Sequence, residues 1–155
     1  MKRRLCFLTF AALFAAMAVC VAAEDVFMGT WKLDETKSKI AAGAPKNTTV
    51  VYEAAGDSVK VTVDGVDADG KPSHNEWTGK FDGKDYALTG DPTADTRSYK
   101  RVNAHTLALT NKKDGKVTTT GRITVSADGK TRTVTTSGKD ASGKQIDSRA
   151  VYNKQ

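Results

Sequence analysis

Asp-Gly pairs recur at short intervals along this sequence, and they constrain its fold more than any other feature. The pairs begin at Asp64, Asp69, Asp82, Asp114 and Asp128. Asp-Gly suits the two central positions of a tight hairpin, because both residues take a positive φ at low cost. A chain that turns back so often is expected to consist of short antiparallel strands.

Polar and apolar residues alternate between these turns, as they do in half-buried strands. Val59, Val61 and Val63 share one face of their segment, and Ile123 and Val125 share one face of theirs. Strands are predicted at residues 27–33, 48–54, 58–65, 73–80, 84–89, 96–102, 105–112, 116–126, 131–138 and 145–153. A meander of this length loses its unpaired edges by closing on itself. We therefore predict an all-β fold, a single antiparallel up-and-down β-barrel of about 8–10 strands.

The connection between residues 33 and 48 is the only long one in this pattern. Asp34 is expected to cap a short helical turn that runs through Lys37 to Ile40, and Gly43 is expected to end it. One or two turns fit there, whereas a helical hairpin does not.

Residues 1–23 have the features of a signal peptide. A basic segment at 2–4 precedes an apolar run, and Val-Ala-Ala at 21–23 provides small residues for cleavage. The apolar run is just long enough to span a bilayer of ~30 Å, but its small-residue end favours cleavage over anchoring. We predict an exported protein, periplasmic or extracellular, with one barrel domain at 24–155 and no stable membrane anchor.

Composition argues against several classes of function. Both cysteines, Cys6 and Cys20, lie in the leader, so neither a disulfide nor thiol chemistry is expected afterwards. Removal of residues 1–23 takes away three of the 24 basic residues and lowers the net charge from +6 to +3, and this small excess is spread along the chain without a basic run, which argues against nucleic-acid binding. His74 and His105 show no metal-ligand spacing and accompany no glycine-flanked serine nucleophile. We predict a protein that is not an enzyme and that uses no cofactor or metal.

Two segments resemble a known superfamily. FMGTWKL, residues 27–33, resembles the Gly-x-Trp signature on the first strand of the calycins, and especially the start of the fatty-acid-binding proteins. SRAVYNKQ, residues 148–155, is similar to that family's terminal Arg-x-Tyr strand. The resemblance implies a secreted bacterial lipocalin-like barrel, monomeric, that binds a small hydrophobic or amphipathic ligand such as a lipid or fatty acid. On this basis Trp31, with Gly29 allowing close approach, is expected to plug the closed end of the barrel.

The same resemblance suggests ligand-binding residues. Arg149 is the first choice as the anchor for a ligand carboxylate, helped by Arg101 and Tyr152. Tyr99 and Trp77 are candidates for the cavity wall, although a lone tryptophan on a strand is also typical of a core.

The position of Arg149 leaves two roles open. It either holds a ligand carboxylate or stacks on the Trp31 indole. Arg149 and Tyr152 are three residues apart, and on a regular strand this spacing sends them to opposite faces unless a bulge intervenes.

A different function is also compatible with the sequence. The barrel interior would then be filled by its own side chains, and the protein would be a structural or interaction module of the cell envelope. A cavity of ~300 Å³ or more favours ligand binding, whereas a packed interior favours the module.

Overall fold

Ten antiparallel strands joined by short connections make up the computed structural model, which describes residues 25–139 and 142–155. The strands are β1 (Gly29–Leu33), β2 (Lys46–Ala55), β3 (Ser58–Val66), β4 (Pro72–Gly79), β5 (Tyr86–Thr89), β6 (Thr96–Asn103), β7 (Thr106–Lys113), β8 (Lys116–Val125), β9 (Thr131–Lys139) and β10 (Gln145–Lys154). Each predicted strand is present, and its bounds differ from the prediction by at most two residues. The predicted signal peptide at 1–23 lies outside the described residues.

The sheet is closed. Each strand pairs with the next along the chain, and β1 also pairs with β10, so that Trp31 stands between Val50 on one side and Lys154 on the other. This confirms the predicted up-and-down barrel. We call the end where β1 begins and β10 finishes the bottom, and the end that carries the β3–β4 and β9–β10 turns the top.

The long connection after β1 contains a short 3-10 helix, Glu35–Lys37. The Asp34 carboxylate caps it by accepting a hydrogen bond from the Lys37 amide at 3.3 Å. The helix ends before the predicted Ile40, because the next residues return to β10. There the amide of Lys39 donates to the carbonyl of Arg149 at 2.6 Å, and the amide of Arg149 donates back at 2.8 Å. Within residues 25–139 and 142–155, no helix is long and apolar enough to cross a membrane.

Aromatic side chains fill the lower part of the interior. The Trp77 ring lies 4.8 Å from Tyr99 and 5.7 Å from Tyr86, both edge to face. Gly79 makes room for this packing, since a Cβ there would come within 2.5 Å of the Tyr86 ring. Phe81 stacks parallel to Trp77 at 6.5 Å. Ring contacts therefore fill the lower interior beside β4, β5 and β6.

Candidate ligand-binding site

Two arginines point into the barrel. Arg97 on β6 and Arg132 on β9 are 6% and 2% exposed. Each alternates with residues that face outward, so the inward face of its strand carries a positive charge. A buried charge is costly unless partners compensate it, which makes the surroundings of each guanidinium informative.

Arg97 is well compensated. Its Nε donates to the Asn111 side-chain oxygen at 2.8 Å, and its Nη1 lies 3.4 Å from the Asn75 oxygen. The Asp91 carboxylate stands 3.8 Å from Nη2. This arginine is held by a polar network near the top, which accounts for its burial.

Arg132 has a different environment. Its guanidinium carbon lies 4.4 Å from the ring centroid of Tyr152, 5.3 Å from that of Tyr52 and 5.4 Å from that of Trp31. Its Nε and Nη1 are buried and have no hydrogen-bond partner. Among residues 25–139 and 142–155, no carboxylate forms an ion pair with it. Arg132 is thus a buried cation with two unused donors and no counter-charge.

The neighbouring tyrosines do not supply that charge. Burial raises the pKa of both the Tyr52 and the Tyr152 hydroxyl, so both stay neutral. The Tyr152 hydroxyl donates to the backbone carbonyl of Asn47 at 3.1 Å. Arg132 is therefore a candidate group for binding an anion, with aromatic rings around it.

A cavity of about 600 Å³ opens at the bottom of the barrel, between the chain before β1 and the β2–β3 turn. The cavity is open to the surface, and its lining includes Tyr52, Val59 and three carboxylates, Asp25, Glu53 and Asp57. Tyr52 belongs both to this cavity and to the shell around Arg132. Tyr52 therefore connects the cavity lining with the ring shell around the guanidinium.

The segment 25–28, which we call the strap, crosses the bottom beside this cavity. Phe27 is fully buried, and its carbonyl accepts a hydrogen bond from the Trp31 indole at 2.9 Å. Arg101 lies over the rings of Phe27 and Phe81, at 5.3 and 5.2 Å, and forms an ion pair with Asp25. Arg101, expected to assist a ligand anchor, thus ties the strap to the barrel.

Of the other residues predicted from the sequence, Trp31 and Tyr152 lie beside Arg132, whereas Trp77 and Tyr99 belong to the core. Trp31 is fully buried at the bottom, beside Arg132. Gly29 has a positive φ of 98°, and a Cβ at this position would lie 3.1 Å from the side chain of Lys154, so a larger residue would be crowded there. Trp77 and Tyr99 pack against each other in the core, and the Trp77 indole donates to the Arg97 carbonyl at 2.8 Å. Tyr152 faces inward beside Arg132 and joins Trp31 in the candidate site.

Arg149 does not lie with them. It is exposed on the outer face of β10, where its Nη1 donates to the Lys37 carbonyl at 3.1 Å. Its register with β9 is continuous, so no bulge brings it onto the face of Tyr152. The interior position expected for Arg149, above the Trp31 indole, is corrected: Arg132, on the neighbouring strand, occupies it. The alternation of Arg132 with Val134 was the available sequence signal, since an arginine at an apolar position of a strand is unusual.

Comparison with known proteins gives the fold and leaves the family open. No protein-family model matches the chain, and no curated protein matches it either. The fold is a closed ten-strand antiparallel up-and-down barrel. It is similar to EF1p2_mFAP2b, solved bound to DFHBI, with 12% identity over 84% of this chain and 94% of that one and a TM-score of 0.50.

Two redesigned β-barrels are more distant. The first, mFAP1 bound to DFHBI, shares 14% identity over 83% of this chain and 95% of its own, with a TM-score of 0.46. The second, b11L5F_LGL, shares 12% identity over 84% and 92%, with a TM-score of 0.43.

Proposed function

We propose that this chain is an exported, lipocalin-like binding protein, without enzymatic activity, whose barrel holds a small amphipathic molecule with an anionic group. A fatty acid or another acidic lipid is the ligand class that fits best. The observation that carries the proposal is the buried guanidinium of Arg132, whose Nε and Nη1 have no partner. A ligand carboxylate supplies both the missing acceptors and the missing charge.

The aromatic side chains around Arg132 suit the hydrocarbon part of such a ligand. The rings of Trp31, Tyr52 and Tyr152 surround the guanidinium and offer apolar surface to a hydrocarbon chain. The cavity of about 600 Å³ at the bottom is large enough for a short chain, and Tyr52 forms part of its lining.

Binding rather than catalysis is favoured by the chemistry of the same residues. An arginine keeps its proton in proteins, and the raised pKa of Tyr52 and Tyr152 makes neither hydroxyl a ready base. The site is suited to holding a charge in place. A barrel of this fold in complex with a small molecule, EF1p2_mFAP2b with DFHBI, supports the same interpretation.

Export and a monomeric state are part of the proposal. The basic, apolar and small-residue order of positions 1–23 supports export. A closed sheet presents no unpaired strand edge to a second copy, which supports a monomer.

A second candidate function is a structural or interaction module with a filled barrel. The ring cluster of Trp77, Phe81 and Tyr99 favours it, because these side chains occupy interior space at the bottom that a bulky ligand would need. In that case the protein would act through its surface.

Calorimetric titration with laurate separates the two functions. The parent protein is expected to bind one laurate per barrel, and Arg132→Gln is expected to weaken binding about tenfold or more, because a charge-assisted hydrogen bond is lost. Lys116→Gln, which removes an exposed charge at the start of β8, outside both pockets, is the control and should bind as the parent does. Absence of heat with laurate, and equally an unchanged affinity of Arg132→Gln, would leave the filled-barrel function as the better description.

A further inference from the structure

The outer wall of the barrel carries a second concave feature, remote from the interior. A groove of about 520 Å³ runs over β8, β9 and β10. Three of its lining residues are basic, Lys39, Arg122 and Arg149, and one is acidic, Asp147. The groove faces away from Arg132, because Arg122 and Arg149 are exposed while Ile123 and Ala150, the next residues along their strands, are buried.

Strand register places the basic residues in one row. Arg122 pairs with Thr135, Thr135 pairs with Arg149, and Arg149 pairs with Lys39. Paired residues share a face of the sheet, so these four side chains stand side by side across neighbouring strands. Adjacent strands are ~4.8 Å apart, which puts Arg122 and Arg149 on the order of 10 Å from each other. The row therefore presents two centres of positive charge with a hydroxyl between them.

The next row towards the top adds polar groups. It consists of Thr120, Ser137 and Asp147, paired across the same strands. Asp147 is the one carboxylate among the lining residues, and within residues 25–139 and 142–155 it forms no ion pair with the three basic side chains. The groove keeps a net positive charge and offers hydroxyl donors beside it.

One of the arginines is held in position. The Nη1 of Arg149 donates to the Lys37 carbonyl at 3.1 Å, at the end of the 3-10 helix. This bond restrains the side chain and leaves its other guanidinium donors available for a ligand. Pre-organisation of this kind lowers the entropic cost of binding.

We propose that this groove is a second ligand site, for a small molecule that carries more than one phosphate or carboxylate group. Arg122 holds one anionic group, Arg149 and Lys39 hold the other, and Thr135 and Ser137 donate hydroxyl hydrogen bonds between them. Guanidinium groups recognise phosphate and carboxylate through paired N–H donors, so both chemistries fit the row. The site lies outside the barrel and does not depend on the function proposed for Arg132.

Amide chemical-shift titration of the full mature chain tests this site. Inorganic pyrophosphate and citrate are added separately, at constant ionic strength maintained with sodium chloride. Saturable shifts are expected at Arg122, Thr135, Ser137 and Arg149. The two anions distinguish the chemistries, since a tighter response to pyrophosphate assigns the groove to phosphate groups and a tighter response to citrate assigns it to carboxylates.

Two matched variants complete the experiment. Arg122→Gln should weaken binding about tenfold, because it removes one of the charge-assisted contacts. Lys116→Gln removes an equal charge from the exposed start of the same strand, outside the groove, and should change binding less than twofold. Equal losses in the two variants, or shifts that follow every surface lysine without saturating, would overturn the proposal and indicate general electrostatic attraction.

Discussion

The two interior arginines show that the effect of a buried arginine on stability depends on its hydrogen-bond and ion-pair partners. Arg97 makes contacts with Asn111, Asn75 and Asp91, and its burial is compensated by this network. Arg132 is buried more deeply, lies among the rings of Trp31, Tyr52 and Tyr152, and has two donors, Nε and Nη1, without a partner among the described residues. Without a ligand, Arg132 is expected to destabilise the barrel, while Arg97 stabilises it.

Substitution by methionine should separate them. Arg132→Met removes an uncompensated charge at similar volume, and we expect the free energy of unfolding to rise by ~1–4 kcal/mol. Arg97→Met removes the guanidinium donors from the buried side-chain oxygens of Asn111 and Asn75 and should lower the free energy of unfolding by ~1–3 kcal/mol. Urea unfolding of the two variants measures both changes. A loss of stability in Arg132→Met would mean that the guanidinium has a structural role.

Among the side chains at the bottom of the barrel, truncation of Trp31 should lower the stability of the protein most. Its fully buried indole contacts Arg132 and bonds the Phe27 carbonyl, so Trp31→Ala is expected to lower the free energy of unfolding by ~3–5 kcal/mol. Val117→Ala, at a side chain that is 57% exposed, serves as the control and should change it by less than ~0.5 kcal/mol. Similar melting temperatures for the two variants would contradict the importance of the indole.

At the scale of elements, the outer face of the β3–β4 hairpin carries a network of charges. The His74 ring nitrogen Nδ1 lies 2.7 Å from the Asp64 carboxylate, and Nε2 lies 3.8 Å from Glu76, which pairs with Lys60 at 2.6 Å. The hydrogen bond to Asp64 raises the pKa of His74 above its ordinary value of 6.5. This hairpin is the part of the barrel whose stability should respond to pH near neutrality.

The direction in which stability changes with pH follows from the raised pKa of His74. Because the pKa of His74 is higher in the folded chain, its protonated form stabilises the hairpin below pH 6.5, and this contribution is lost as the pH rises through the folded-state value. We expect the melting temperature to fall slightly over that interval, and proton NMR titration of His74 to give a pKa above 6.5. Asp64→Asn should bring this pKa down and flatten the response. An unchanged pKa in Asp64→Asn would show that the contact is not formed in solution.

At the scale of the whole molecule, local patterns were sufficient to predict the architecture. Period-two alternation and four of the five Asp-Gly pairs mark the strands and turns within a few residues, whereas Asp64-Gly65 lies within β3, and among the described aspartates of these pairs only Asp114 has the expected positive φ. The position of Arg149 shows what local sequence patterns do not determine. Its three-residue spacing from Tyr152 correctly indicated opposite faces, but which of them faces inward depends on the closure of the sheet.

The candidate site depends on contacts that are distant in sequence. Arg132, Tyr52 and Trp31 lie on three different strands, and only the register of the closed sheet brings them together. The absence of a partner for Arg132 among the described residues is a property of the folded interior, so no local pattern reveals it. The strap formed by residues 25–28 and tied by Arg101 was missed for the same reason.

Native mass spectrometry with an acid and its alcohol tests most directly whether the barrel binds an anionic amphiphile at Arg132. Decanoate and decanol share one hydrocarbon chain and differ in charge, so competition between them isolates the contribution of the carboxylate. The protein is expected to bind one decanoate and to exclude decanol, and Arg132→Met is expected to lose this preference. Equal binding of acid and alcohol, or a preference for the acid that survives in Arg132→Met, would contradict the proposed site.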